Sequence, residues 1–152
     1  MDATPHLVVG AALAMRRSPL VAFAVGAASH VLLDVVPHYH YGWVVGGFSP
    51  GALIDMGAGV CLVVGIVLVA PNSWGALAGA AGGIFPDIQR ALSGNRYDLF
   101  RLLPVSLPHW EVGLPWGLVT QIVATGIALA IAVRARRRGR GKHRKENSQL
   151  SK

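Results

Sequence analysis

The residues best placed to do chemistry lie in the run Ser29-His30-Val31-Leu32-Leu33-Asp34. Positions i and i+4 share one face of a helix, so the His30 imidazole and the Asp34 carboxylate can meet on one side. Such a pair can ligate one metal ion. Alternatively, Asp34 can orient His30 without touching a metal, or the two can form only an ion pair or helix-end hydrogen bond near a membrane surface. Pro37 disfavours helix at Val36 and so places His38 beyond the helix end, folded back near Asp34. A second unit, Gly82-Gly83-Ile84-Phe85-Pro86-Asp87, runs from a glycine-rich stretch into Pro and then Asp. Pro86 biases Phe85 away from helix, so a turn is expected there with Asp87 emerging from it. A third unit is Pro108-His109-Trp110-Glu111.

With His6 near the start, the candidate metal ligands are His6, His30, Asp34, His38, Asp87 and His109. Imidazoles with carboxylates suit a divalent metal, above all Zn, with Mn and Fe as further options. Asp55 and Glu111 are the candidate general bases, Asp55 being also a candidate metal ligand or buried partner of an arginine. His40 lies in Tyr39-His40-Tyr41-Gly42-Trp43, an aromatic stretch suited to anchoring at a membrane interface. His143 belongs to a basic tail and needs no special role. Cys61 is the only cysteine, which excludes an internal disulfide.

The elements that must position these groups are apolar. Of 152 residues, 53% are hydrophobic and only 14% charged, the mean hydropathy is +0.48, and 19 residues are glycine. A soluble domain carries about 25% charged residues, and a small one has little core in which to hide such a surplus of apolar surface. Five apolar segments follow: Pro5 to Met15, Pro19 to Val36, Pro50 to Ala70, Ser73 to about Asp87, and Val112 to Val133. The third and fifth approach or exceed the roughly 20 residues that cross a bilayer core. The second just suffices, and the first and fourth are shorter than a full span. All are expected to be helical, because lipid satisfies no backbone N–H or C=O group. The predicted fold is therefore all-α, a polytopic membrane bundle of about five helices, with residues 1–133 forming the membrane domain.

Breaks between segments are marked by Arg16-Arg17-Ser18-Pro19 and by Pro71-Asn72-Ser73, with Ser73 the expected N-cap. Gly79 and Gly83 form a small-xxx-small pair of the kind that allows close helix contact in membranes. The stretch around Arg16-Arg17 superficially resembles a signal peptide, but an apolar segment precedes it, which argues against cleavage.

Charge divides the chain. Residues 1–133 hold five Arg against six acids, net −1, whereas residues 134–152 hold nine Lys or Arg against one Glu, net +8. This basic segment reads as a disordered tail on the cytoplasmic side that touches anionic lipid heads, with no nucleic-acid role. Tracing back from it places the 71–73 and Arg16-Arg17 turns inside. His6, His30, Asp34, Asp55, Asp87, His109 and Glu111 then all fall toward the outer face. Three arginines on an outer loop, Arg90, Arg96 and Arg101, run against the positive-inside pattern.

The motifs resemble a known family. Gly26 to Tyr39, with its Ser-His-x-x-x-Asp-x-x-Pro-His pattern at Ser29, His30, Asp34, Pro37 and His38, is similar to the signature of bacterial inner-membrane predicted metal-dependent hydrolases. Gly83-Ile84-Phe85-Pro86-Asp87 resembles their Pro-Asp motif. The likeness extends as a pattern over most of residues 1–115 and specifically over about 20 of them. It implies ligand roles for His30, Asp34 and Asp87, more weakly for His38 and His109, and residence in a bacterial cytoplasmic membrane. The arrangement is also loosely similar to zinc-dependent phospholipase C. Three features depart from the pattern: Gln89 stands where fuller members carry a second Asp, no His-Arg-Gly-x-Thr-His segment is present, and the phospholipase's N-terminal Trp ligand is missing.

The function this implies is a membrane-embedded metal-dependent hydrolase at the outer face, acting on a lipid-linked or phosphoester substrate. Its alternatives are a non-catalytic assembly protein with a degenerate metal site, and a metal or proton transporter. The transporter ranks last, because the third and fifth segments offer few polar groups.

Overall fold

The computed structural model describes residues 2–39, 43–44, 47–92 and 110–150. Five helices follow one another: α1 (Ala3–Ala14), α2 (Pro19–Val35), α3 (Pro50–Val69), α4 (Ser73–Leu92) and α5 (Trp116–Leu150). The protein is all-α, apart from a two-residue antiparallel pairing of β1 (Trp43–Val44) with β2 (Gly47–Phe48) and a parallel bridge between His38 and Glu111.

Local chemistry accounts for most helix starts. Pro19 and Pro50 occupy first helical positions, where no N–H is needed, and Ser49 Oγ accepts from the Ala52 N–H at 3.1 Å. The cap of α4 is Asn72 and not the expected Ser73: Asn72 Oδ1 accepts from the Gly75 N–H at 3.1 Å. Ser73 turns its hydroxyl back to the Val67 carbonyl instead.

α1 is the centre of the bundle. It is apolar all round, the pattern of a helix enclosed on every side, and Pro5, His6, Leu7, Val8, Gly10, Ala11, Ala12 and Ala14 are all buried. α2 and α4 pack closely on it and on each other, while α3 and α5 flank it. Glycines set the spacing. A Cβ on Gly10 would overlap the Gly79 carbonyl, one on Gly83 the His6 carbonyl, and one on Gly82 the Phe23 carbonyl. The Gly79/Gly83 pair is thus a true contact surface, on which α4 meets α1 backbone to backbone.

α3 and the apolar part of α5 differ. Pro50–Val69 and Trp116–Arg137 are long and apolar enough to cross a membrane, yet only 17% and 22% of their apolar windows are buried. Leu53, Ile54, Val64 and Leu68 on α3, and Ile122, Val123 and Ile127 on α5, face outward. The core helix of a water-soluble protein would have these side chains inside.

Two expectations fail at helix ends. α4 does not turn at Pro86 but continues through it to Leu92. Pro86 lacks the N–H that would bond the Gly82 carbonyl, but the close packing of Gly82 and Gly83 on α2 and α1 holds the helix on course. The basic segment after Val133, expected to be disordered, carries on as helix to Leu150. Arg and Lys are good helix formers, and the helix is already nucleated by its apolar part.

The ends of the bundle are chemically distinct. At one, the Asn72 side chain donates to the Arg17 carbonyl at 2.7 Å and Arg16 Nη2 donates to the Ala135 carbonyl at 2.9 Å. Both arginine-bearing and 71–73 turns therefore lie together with the start of the basic segment. His6, Asp34, Asp55 and Asp87 lie at the other.

Candidate metal centre

α1, α2 and α4 each bring one part of a cluster to that second end. His6 sits in the first turns of α1, fully buried. His30 and Asp34 lie one turn apart at the end of α2, as the i, i+4 spacing predicts. Asp87 comes from α4. His6 Nε2 lies 3.2 Å from one oxygen of Asp34, and His30 Nε2 lies 3.3 Å from the other. The two imidazole rings stack, with centroids 3.9 Å apart and planes 24° from parallel. Asp87 Oδ1 stands 3.7 Å from His30 Nε2 at the exposed edge. One ligand atom from each of His6, His30 and Asp34 falls within 4.8 Å of the others.

These separations suit a small cation. With metal–ligand bonds of about 2.0–2.1 Å, the edge of a tetrahedron is about 3.4 Å, close to both His–Asp distances. The orientation of His30 suits one too. Its Nδ1 lies 2.8 Å from the Gly83 carbonyl, which can only accept, so Nδ1 carries the proton and Nε2 can present its lone pair to a metal. A backbone carbonyl behind a ligating imidazole is the usual way such a ring is fixed. Two carboxylates, Asp34 and Asp87, converge on that nitrogen and add the negative charge a cation needs. Side-chain exposure is 26% for Asp34 and 36% for Asp87, against 0% for His6 and 2% for His30, so the cluster opens to the outside on its carboxylate side.

The Gly83 carbonyl could not be found from residue types, because every residue has one. It meets His30 because α4 packs closely against α2 at this level. Ser29, which precedes His30, is buried and donates to the Gly26 carbonyl at 2.7 Å, and so belongs to α2 rather than to the cluster.

The remaining candidates lie elsewhere. His38 is fully buried, but its Nδ1 contacts the Val36 carbonyl at 2.6 Å, and its backbone pairs with Trp110 and Val112. It does not fold back onto Asp34, because this pairing draws residues 37–39 toward α5. Thr120 and Gln121 complete the attachment, donating to the Pro37 and Tyr39 carbonyls, each at 2.6 Å. Asp55 pairs with no arginine among the described residues. Its Oδ2 accepts from the Thr4 N–H at 2.9 Å and its carbonyl from the Thr4 hydroxyl at 2.5 Å. Asp2, at the N-cap of α1, makes no side-chain cap bond, so Asp55 caps that helix from α3 and is engaged structurally rather than free to act as a base. Glu111 is exposed beside His38 and is not part of the His6–His30–Asp34 group. His109 lies outside the described residues, as do His40, Arg96 and Arg101.

Fold and site together define an all-helical protein with two candidate membrane-crossing helices and a buried His/Asp group that could hold a metal ion. No family model, curated protein or solved structure matches the chain.

Proposed function

We propose that this protein is a membrane-embedded metal-dependent hydrolase whose centre is formed by His6, His30 and Asp34. The observation that carries the reading is the convergence of these three side chains, from two helices, within 4.8 Å. Three protein ligands with an open side is the pattern of catalytic rather than structural zinc sites. A divalent cation such as Zn would supply Lewis-acid activation of water and polarisation of a phosphoryl or acyl oxygen. His30, fixed by the Gly83 carbonyl, keeps Nε2 directed at the site. Asp87, at the open edge, is positioned to take a proton from an incoming water, the role that sequence reasoning gave to Asp55 or Glu111. Stacking of His6 under His30 excludes solvent from the inner side.

The substrate is a phosphoester or lipid-linked molecule, because the cluster opens at the end of a bundle whose flanks are apolar. The similarity to bacterial inner-membrane metal-dependent hydrolases supports the same reading. On this reading the chain is a polytopic protein of a cytoplasmic membrane, with the Arg16-Arg17 end and the basic helix inside, by the positive-inside pattern, and the cluster outside.

A second reading has one observation in its favour. Asp34 already spans His6 and His30 at hydrogen-bond distance, so the three could form a structural triad in a non-catalytic protein. Metal analysis of detergent-purified protein separates the two. About one zinc per chain is expected in the wild type, with a loss of at least tenfold in affinity for His30→Ala and Asp34→Ala. Equal, negligible metal in all three would leave the structural triad.

A further inference from the structure

The end of the bundle opposite the candidate metal centre contains a cleft that the proposed hydrolysis does not use. Its volume is about 580 Å³, and it lies between the α1–α2 turn and α5. Arg16, Arg17 and Arg134 line it together with Leu13, Met15 and Ile131. Among the described residues, no acid stands beside these three guanidinium groups. Asp2, Asp34, Asp55, Asp87 and Glu111 all sit at the other end, and among the described residues neither Arg17 nor Arg134 makes an ion pair. Arg16 spends one N–H on the Ala135 carbonyl, which fixes its side chain across the cleft between the turn and α5.

The walls add a second requirement. Leu13 is 45% exposed and Ile131 37%, and they continue into the outward-facing Leu20 and Val21 of α2. A ligand that fits must therefore offer an anion at the arginine end and hydrocarbon along the helices. A free inorganic anion meets only the first condition.

We propose that this cleft is a specific binding site for an anionic phospholipid, with the phosphate held by Arg17 and Arg134 and an acyl chain lying along Leu13 and Ile131. Guanidinium groups bind phosphate through paired N–H donors, and basic pockets between membrane helices on the cytoplasmic side suit acidic headgroups. The site rests on the reading that the chain lies in a bilayer, but not on metal binding. By joining the α1–α2 turn to α5, the lipid would clamp an otherwise lightly attached helix to the core.

Native mass spectrometry of the full chain tests this, after extraction from membranes in detergent, delipidation and titration with phosphatidylglycerol or phosphatidylcholine. Recovery from the membrane fraction first checks that the chain is embedded. Recovery in the soluble fraction instead would overturn the bilayer reading and the lipid site with it. One phosphatidylglycerol should bind each chain, and phosphatidylcholine should bind at least about tenfold more weakly. The double variant Arg17→Gln/Arg134→Gln should lose about tenfold or more in phosphatidylglycerol affinity. Arg136→Gln/Arg137→Gln removes the same charge outside the cleft and should stay within about twofold. An unchanged melting temperature shows that each variant is folded, and a variant that fails this check is replaced by the Arg→Lys pair, which keeps charge but loses the paired donors. Equal losses in both double variants would overturn the proposal in favour of diffuse charge attraction. Displacement of the lipid by millimolar inorganic phosphate would overturn it in favour of a free-anion site. A dimer that forms in place of lipid binding would assign the cleft to a second copy of the chain.

Discussion

α1, α2 and α4 meet backbone to backbone, whereas α3 and α5 touch the bundle along one edge and turn most of their apolar side chains outward. The contrast follows from residue size. Gly10, Gly26, Gly79, Gly82 and Gly83 leave no room for a Cβ in the inner trio, while Gly57, Gly65 and Gly126 on the outer pair have nothing within 4 Å of one. Glycine is about equally common in both regions, but on the outer pair only Gly59, against Thr4 and Leu7 of α1, and Gly117, against Tyr39, are closely approached among the described residues. Every member of the candidate metal cluster belongs to the inner trio. Side chains that must meet within a few ångströms are carried by the helices whose separation is most tightly fixed, and the long apolar helices turn most of their side chains outward.

The largest expected effect comes from breaking the trio's spacing. Gly83→Ala puts a methyl group into the His6 carbonyl and disturbs the carbonyl that orients His30. Overpacking of this kind costs about 1–3 kcal/mol, and the variant should both melt earlier and lose metal. Gly126→Ala, on the outward side of α5, should melt at or slightly above the wild-type temperature, since Ala is favoured over Gly in a helix by about 0.5–1 kcal/mol. Equal destabilisation of the two by thermal scanning in detergent would erase the distinction between inner and outer helices.

An effect on activity rather than on folding is expected at the rim of the cluster. Asp87→Asn keeps the shape but removes one of two carboxylates facing His30. Hydrolysis of a phosphoester substrate should fall by about 10²–10⁴, the range for loss of a general base, while zinc content falls far less than in Asp34→Ala. Loss of metal equal to that in Asp34→Ala would make Asp87 a ligand in its own right.

The smallest effect sharpens the border between the trio and α3. Asp55→Asn weakens the cap that α3 lends to α1 and should cost about 1 kcal/mol of stability, with zinc content unchanged. A loss of activity much greater than the loss of folded protein would return Asp55 to the catalytic set.

How much of this was legible beforehand varies with the range of the interaction. The i, i+4 pairing of His30 with Asp34 is local, so helical periodicity sufficed to bring them together. His6 joined them as expected from its position at one end of its segment, whereas Asp87 approaches His30 to 3.7 Å from inside α4 and is not in the group of three. His38 failed because the pairing of residues 37–39 with 110–112 is long-range and has no side-chain signature. Asp55 failed because an acid one turn into an apolar helix looks the same whether it serves a cap, a cation or a reaction.

The sequence alone determined the helices, their order and the division of charge between the two ends, because apolar runs, prolines and basic blocks act over a few residues. Tertiary structure decided the rest. It carried α4 through Pro86 and supplied the Gly83 carbonyl to His30. It turned Asp55 from a candidate base into a cap. Each of these depends on which backbone a residue meets across the bundle, and backbone groups are the same in every residue until packing chooses among them.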